Sequence, residues 1–173
     1  MSENSSDKLS FEEIMFTVIE STQNTFRAYM NMEVFAGKVK KSIEPVDADI
    51  VGIVGIAGSR VGYMILSLDS NTAKLITEEL SMTENPDEDL MRDSIGELIN
   101  IIAGSIKSKY HQHYGKVDLG LPLIMSGKLT PKGAVTEEDH SDEDTSLSVQ
   151  SNGVVIPFRG FGEGVAFSVM VYM

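Results

Sequence analysis

Asp93-Ser94-Ile95-Gly96-Glu97-Leu98-Ile99-Asn100-Ile101-Ile102-Ala103-Gly104 reads as one long helix with two contrasting faces. At about 100° per residue, Asp93, Glu97, Asn100 and Gly104 fall on one stripe. Met91, Ile95, Leu98, Ile99, Ile102 and Ile106 fall on the opposite one. The apolar stripe explains how such a helix is held against a core. It does not explain an outer stripe of acid, acid, amide and glycine, and that stripe is the first place to look for chemistry.

Upstream, Asn85-Pro86-Asp87-Glu88-Asp89 supplies a helix start. Asparagine suits the cap, proline suits the first turn, and three carboxylates complement the positive helix end. The helix is predicted to run to about His111. An earlier long helix opens at Ser10-Phe11-Glu12-Glu13, a capping box, with Leu9 and Ile14 placed as its hydrophobic staple. Phe11, Met15, Val18, Phe26 and Tyr29 give it one apolar stripe to about Asn31.

Strand patterns fill most of the remainder. Phe35 to Ile43 is a predicted strand with its lysines at an exposed or edge position. Asp49–Ala57 and Val61–Leu68, joined by Gly58-Ser59-Arg60, predict a β-hairpin. Asp69 and Ser70 cap a short helix to about Met82. Further strands are expected at Leu121–Met125, Thr145–Gln150, Val154–Phe158 and Val165–Val171. The last two are joined by the glycine-rich Gly160–Gly164, so that Gly58 and Gly62 of the first hairpin correspond to Gly160 and Gly164 of the second. Helix followed by strands, twice, indicates an internal duplication of an α-plus-three-strand unit. The expected fold is α+β: a flexible N-terminus over 1–9, then a single domain over 10–173 with a largely antiparallel sheet packed by two long helices.

Composition narrows the functional classes. At 173 residues and 42% apolar content, the chain can build one sizeable core. Acidic residues outnumber basic ones 26 to 14, a net charge of −12, which disfavours binding to a phosphate backbone. Without cysteine there are no disulfides, thiolate zinc sites or cysteine nucleophile. Met1–Asp7 lacks the basic and apolar regions of a signal peptide, and no apolar run reaches transmembrane length. A cytoplasmic protein is expected.

Other candidate sites give way to structural readings. Glycines 52, 55, 58 and 62 match neither the dinucleotide fingerprint nor a P-loop, and a strand follows them, so no helix N-terminus awaits a phosphate. His111 and His113 sit at a helix end, where positive charge suits the dipole. The acidic run 136–144 lacks the glycine and terminal glutamate of a calcium loop and reads as solvated. No serine lies in a nucleophile elbow. Glu97 and Asn100 remain. Asparagine is a mediocre helix former and Gly104 a poorer one; together they leave a shallow surface that presents a carboxylate beside an amide.

At these residues the chain resembles the CheX-type phosphatases of the CheC/CheX/FliY family, which act on phosphorylated response regulators in bacterial chemotaxis. The signature stands here as Asp93-x3-Glu97-x2-Asn100, followed by Ile101-Ile102-Ala103-Gly104. The resemblance extends to the Gly-Ile-Val-Gly-Ile-Ala-Gly hairpin and to Leu121–Gly127. Ser105 replaces the asparagine that many relatives carry after the glycine, and the acidic run 136–144 looks like an insertion. CheC-type members carry a second signature on the first helix; here that helix offers only Glu20-x-x-Gln23, read as surface residues, so a single site is implied.

The resemblance implies a phosphatase acting on the aspartyl phosphate of a CheY-like receiver. Asn100 would position the attacking water, and Glu97 would engage the receiver's active-site lysine. Asp93, Glu97 and Gly104 would contact the partner. The magnesium ion would belong to the receiver, with no metal or other cofactor in this chain, and the family suggests a homodimer. The alternatives are a non-catalytic receiver-binding or scaffolding module with the same fold and, further off, a nucleotide binder.

Overall fold

The computed structural model describes residues 10–59, 61–131, 153–160, 162 and 164–173. The elements run α1 (Phe11–Met30), β1 (Val34–Ala36), β2 (Val46–Gly58), β3 (Gly62–Leu68), α2 (Ser70–Ser81), α3 (Glu88–Tyr114), β4 (Val117–Leu119), β5 (Leu123–Leu129), β6 (Gly153–Gly160) and β7 (Ala166–Tyr172). All strand pairs among the described residues are antiparallel. The sheet order is β1-β6-β7-β3-β2-β4, with β5 also paired to β2. This is the expected α+β architecture.

The duplication is legible in the pairing, though the halves are interlaced. Val34 of β1 lies opposite Gly160, and Val117 of β4 lies opposite Gly58. The short strand that follows each long helix therefore joins the hairpin of the other half. The two hairpins meet along β3 and β7 at the centre of the sheet.

Alternation along the strands separates the two faces of the sheet. Ile50, Val54 and Ile56 of β2, with Met64, Leu66 and Leu68 of β3, pack into the main core with the helices. Val51 and Ile65 point the other way, into a smaller cluster with Ile43 and Met170. On the helix side, Ile95, Leu98, Ile99 and Ile102 of α3 are fully buried. At about 1.5–3 kcal/mol for each such side chain, this face alone anchors α3 firmly.

The capping box forms as expected: the Ser10 N–H donates to Glu13 Oε2 at 2.7 Å, and the Glu13 N–H donates to Ser10 Oγ at 3.2 Å. Four expectations need correction. α3 is capped by Asp87, whose carboxylate accepts from the Leu90 N–H at 2.8 Å, and not by Asn85. Asn85 instead takes a left-handed turn conformation, with its side chain held by Lys74 and its N–H by Glu78.

The strand expected over 35–43 pairs continuously only over Val34–Ala36, with one isolated bridge at Lys40–Val155. Gly37 donates to the Pro157 carbonyl at 2.7 Å, but Pro157 has no N–H to return, so the ladder stops there. Tyr29 is 58% exposed and lies outside the apolar face of α1, which centres on Val18, Thr22 and Phe26. The strand expected to begin at Leu121 begins at Leu123, after the Gly120–Pro122 connection, and runs to Leu129. The strand expected over Thr145–Gln150 and the acidic run 136–144 lie outside the described residues.

Candidate functional site

α3 is held close to the sheet by small residues on both sides of the contact. A Cβ on Gly52 would meet Ile99 and Ile124 at 3.3 Å, and one on Gly96 would meet Ile124 at 3.6 Å. Arg92 adds a polar tie: its Nη2 donates to Ser126 Oγ of β5 at 3.1 Å and to Glu88 at 2.8 Å. The sequence reading did not single out Arg92; its only local signal was the i, i+4 spacing from Glu88.

With its inner face fixed this way, the helix turns its other face outward. Asp93, Glu97 and Asn100 are exposed. None of the three has a hydrogen-bond or ion-pair partner among the described residues. Gly104, one turn on, differs from Gly52 and Gly96, because a Cβ there would meet nothing within 4 Å. Packing does not require this glycine. The result is a carboxylate and an amide three residues apart on a rigid rod, beside a bare patch of helix. The amide can accept hydrogen bonds at its oxygen and donate two from its nitrogen, and the carboxylate can pair with a cation.

The matching surface of α1 is closed. Val18, Ser21, Thr22, Thr25 and Phe26 repeat, 77 residues earlier, the buried positions of Ile95, Leu98, Ile99, Ile102 and Ala103. The same offset carries Glu97 to Glu20 and Asn100 to Gln23. Glu20 is paired with Lys109 at 2.8 Å, and the Gln23 amide donates to the Val34 carbonyl at 3.0 Å. Both residues are occupied by structural contacts.

The sequence profile of the chemotaxis phosphatase CheX family matches residues 50–159. The chain is 31% identical over 155 residues to the CheY-P phosphatase CheX of Thermotoga maritima, covering 81% of this chain and 97% of that one. The chain belongs to the CheX family. CheX of Desulfovibrio desulfuricans superposes with a TM-score of 0.73 at 17% identity, over 93% of this chain and 99% of that one. The Borrelia burgdorferi CheX seen in a complex with CheY, BeF3 and magnesium superposes with a TM-score of 0.71 at 20% identity, over 95% and 98%. These two likenesses show the CheX fold over more than nine-tenths of this chain.

Among the described residues no group of three or more His, Asp or Glu side chains is placed to hold a metal ion, and no helix is long and apolar enough to cross a membrane. His111 is exposed near the end of α3, and β3 is the next element after β2, with no helix between them among the described residues.

Proposed function

We propose that this CheX-family chain hydrolyses the aspartyl phosphate of a CheY-like receiver domain, in chemotaxis or a related two-component pathway. The observation that carries this reading is the pairing of Glu97 and Asn100, exposed and unengaged, on a helix whose opposite face is fully buried. The name of the Thermotoga maritima relative supports the substrate class.

The chemistry asks little of the protein beyond placement. Water attacks phosphorus in line with the acyl-phosphate bond; that O–P bond breaks, the receiver's aspartate leaves as a carboxylate, and inorganic phosphate forms. In a loose transition state the water is weakly activated, so its position dominates the rate. Asn100 accepts a hydrogen bond from the water and brings no negative charge towards the phosphoryl group. Glu97 pairs with the receiver's lysine and fixes the orientation of the complex. Asp93 and Gly104 lie within the contact surface. Magnesium comes with the receiver, and this chain brings no cofactor of its own. A cytoplasmic homodimer joined through a sheet edge belongs to the same reading; the outer strands are β1 on one side and β4 and β5 on the other.

The test follows loss of phosphate from a phosphorylated receiver with the wild-type chain and with Asn100→Ala. The wild type accelerates the loss; the variant binds the receiver and leaves the loss at its spontaneous rate. Binding without acceleration by the wild type would make the chain a scaffold instead.

A further inference from the structure

The outer stripe of α3 continues past Gly104. Lys107 follows Asn100 by two helical turns and about 10 Å, rotated from it by about 20°. Its Nζ lies 3.9 Å from Asp118 Oδ1 of β4, while Lys116 Nζ lies 3.0 Å from Oδ2 of the same carboxylate. His111, one turn beyond Lys107, is exposed on the same stripe. The hydrogen bond from Lys116 holds the Asp118 carboxyl below its ordinary value; slight burial opposes this, and the charges of Lys116, Lys107 and His111 add to it. Two ammonium groups on one carboxylate leave a net positive patch on a chain of net charge −12.

The patch is accessible and its base is fixed. Lys107 and Lys116 keep 40% and 75% of their side-chain surface exposed. The Lys116 carbonyl accepts from the Ser59 N–H at 2.9 Å, and Val117 pairs with Gly58. Lys107 lies one helical turn beyond Gly104, with its ammonium drawn to Asp118 of β4 and the surface at Gly104 left bare. At the other end of the stripe Asp89, Asp93 and Glu97 are exposed at successive i, i+4 positions, a spacing of like charges that disfavours a helix by itself.

We propose that α3 binds its partner through a stripe with two charged ends, in which Lys107 and Lys116 hold the acidic rim of a receiver's phosphorylation face. This rests on the function proposed above. The occupant follows from charge complementarity. A phosphorylated aspartate among its neighbouring carboxylates needs cations nearby, and the receiver's lysine needs the acidic end. The uncharged Asn100–Gly104 segment lies between them, where the phosphoryl group would sit. Asp118 acts as a positioning residue that keeps both ammonium groups at one end of the stripe.

The test measures affinity for a BeF3-activated receiver over a range of salt concentrations, together with phosphate release. The variants are a Lys107→Met/Lys116→Met pair, a Lys107→Arg/Lys116→Arg pair and Asn100→Ala. The methionine pair weakens binding about five- to tenfold, raises KM to match, flattens the salt dependence and leaves kcat within about twofold. The arginine pair restores affinity. Wild-type affinity and salt slope in the methionine pair would overturn the proposal, as would a fall in kcat at unchanged KM. Failure of the wild type to accelerate phosphate loss, with the methionine pair still impaired in binding, would remove the hydrolytic reading and leave the docking stripe standing.

Discussion

Gln23 of α1 donates its side-chain amide to the Val34 carbonyl at 3.0 Å, whereas Asn100, at the matching turn of α3, presents its amide to solvent with no partner among the described residues. One position of a duplicated helix secures the chain to β1, and its counterpart is left available. The longer glutamine reaches across to the strand, and Glu20 beside it is drawn to Lys109.

The first prediction follows from that hydrogen bond. Gln23→Ala loses a part-buried bond and leaves the Val34 carbonyl short of a donor, costing about 1 kcal/mol. For a chain of this size that lowers Tm by about 2–4 °C. The rate of receiver dephosphorylation stays unchanged, because α1 carries no working pair. Thermal denaturation and a phosphate-release assay on the same variant check both halves. A large loss of activity in a folded Gln23→Ala protein would place a second site on α1.

Asn100→Ala is expected to separate activity from stability in the opposite sense. Alanine is a better residue for an exposed helix interior than asparagine by up to about 0.7 kcal/mol. The variant therefore melts at the same temperature or slightly higher. Its accelerated hydrolysis falls by about 10²-fold or more, the scale of misplacing a reacting group. A variant that lost activity by unfolding would show a lower Tm instead.

These two residues also show how far the sequence could be read. The outer stripe of α3 stood out because Asn100 and Gly104 both work against helix stability and a periodic apolar face explains neither. The capping box, both hairpins and the duplicated glycines were legible for the same reason: each is a local pattern with a local cause. What escaped depends on distant partners. The ladder from β1 fails at Pro157, more than a hundred residues away in sequence. Arg92 gains its meaning from Ser126, and Asp118 from Lys107. The cap at Asp87 was missed because Asn85 and Pro86 also fit a helix start, and contacts from Lys74 and Glu78 decided between them.

The α1 face offers a stability prediction. The Thr22 hydroxyl is fully buried and has no hydrogen-bond partner among the described residues. An unpaired buried hydroxyl is costly, and valine has nearly the same shape. Thr22→Val should stabilise the chain by about 1 kcal/mol, measurable as an upward shift of the denaturant midpoint at constant m-value. Activity is unaffected, since Thr22 faces inward. A destabilised Thr22→Val protein would mean that the hydroxyl is hydrogen-bonded in solution.

Two glycine-to-alanine substitutions are expected to diverge because glycine serves different ends at the two positions. A Cβ on Gly62 would overlap the Tyr172 carbonyl, where β3 and β7 join the two halves of the sheet. Gly62 sits just outside the first β3–β7 pair, Tyr63–Tyr172, so the added Cβ must push that end of the ladder apart, and Gly62→Ala should lower Tm clearly. Gly104 has open space around it and an ordinary helical conformation. Gly104→Ala should therefore stabilise α3 by about 1 kcal/mol, the usual helix-interior difference, and raise Tm by about 2–4 °C. A bulkier residue shows what the gap is for. Gly104→Leu starts its side chain in open space but occupies the room a docked receiver needs, so in the folded variant KM for the phosphorylated receiver should rise at least about tenfold. Unchanged KM in a folded Gly104→Leu protein would mean that the receiver does not approach this turn of α3.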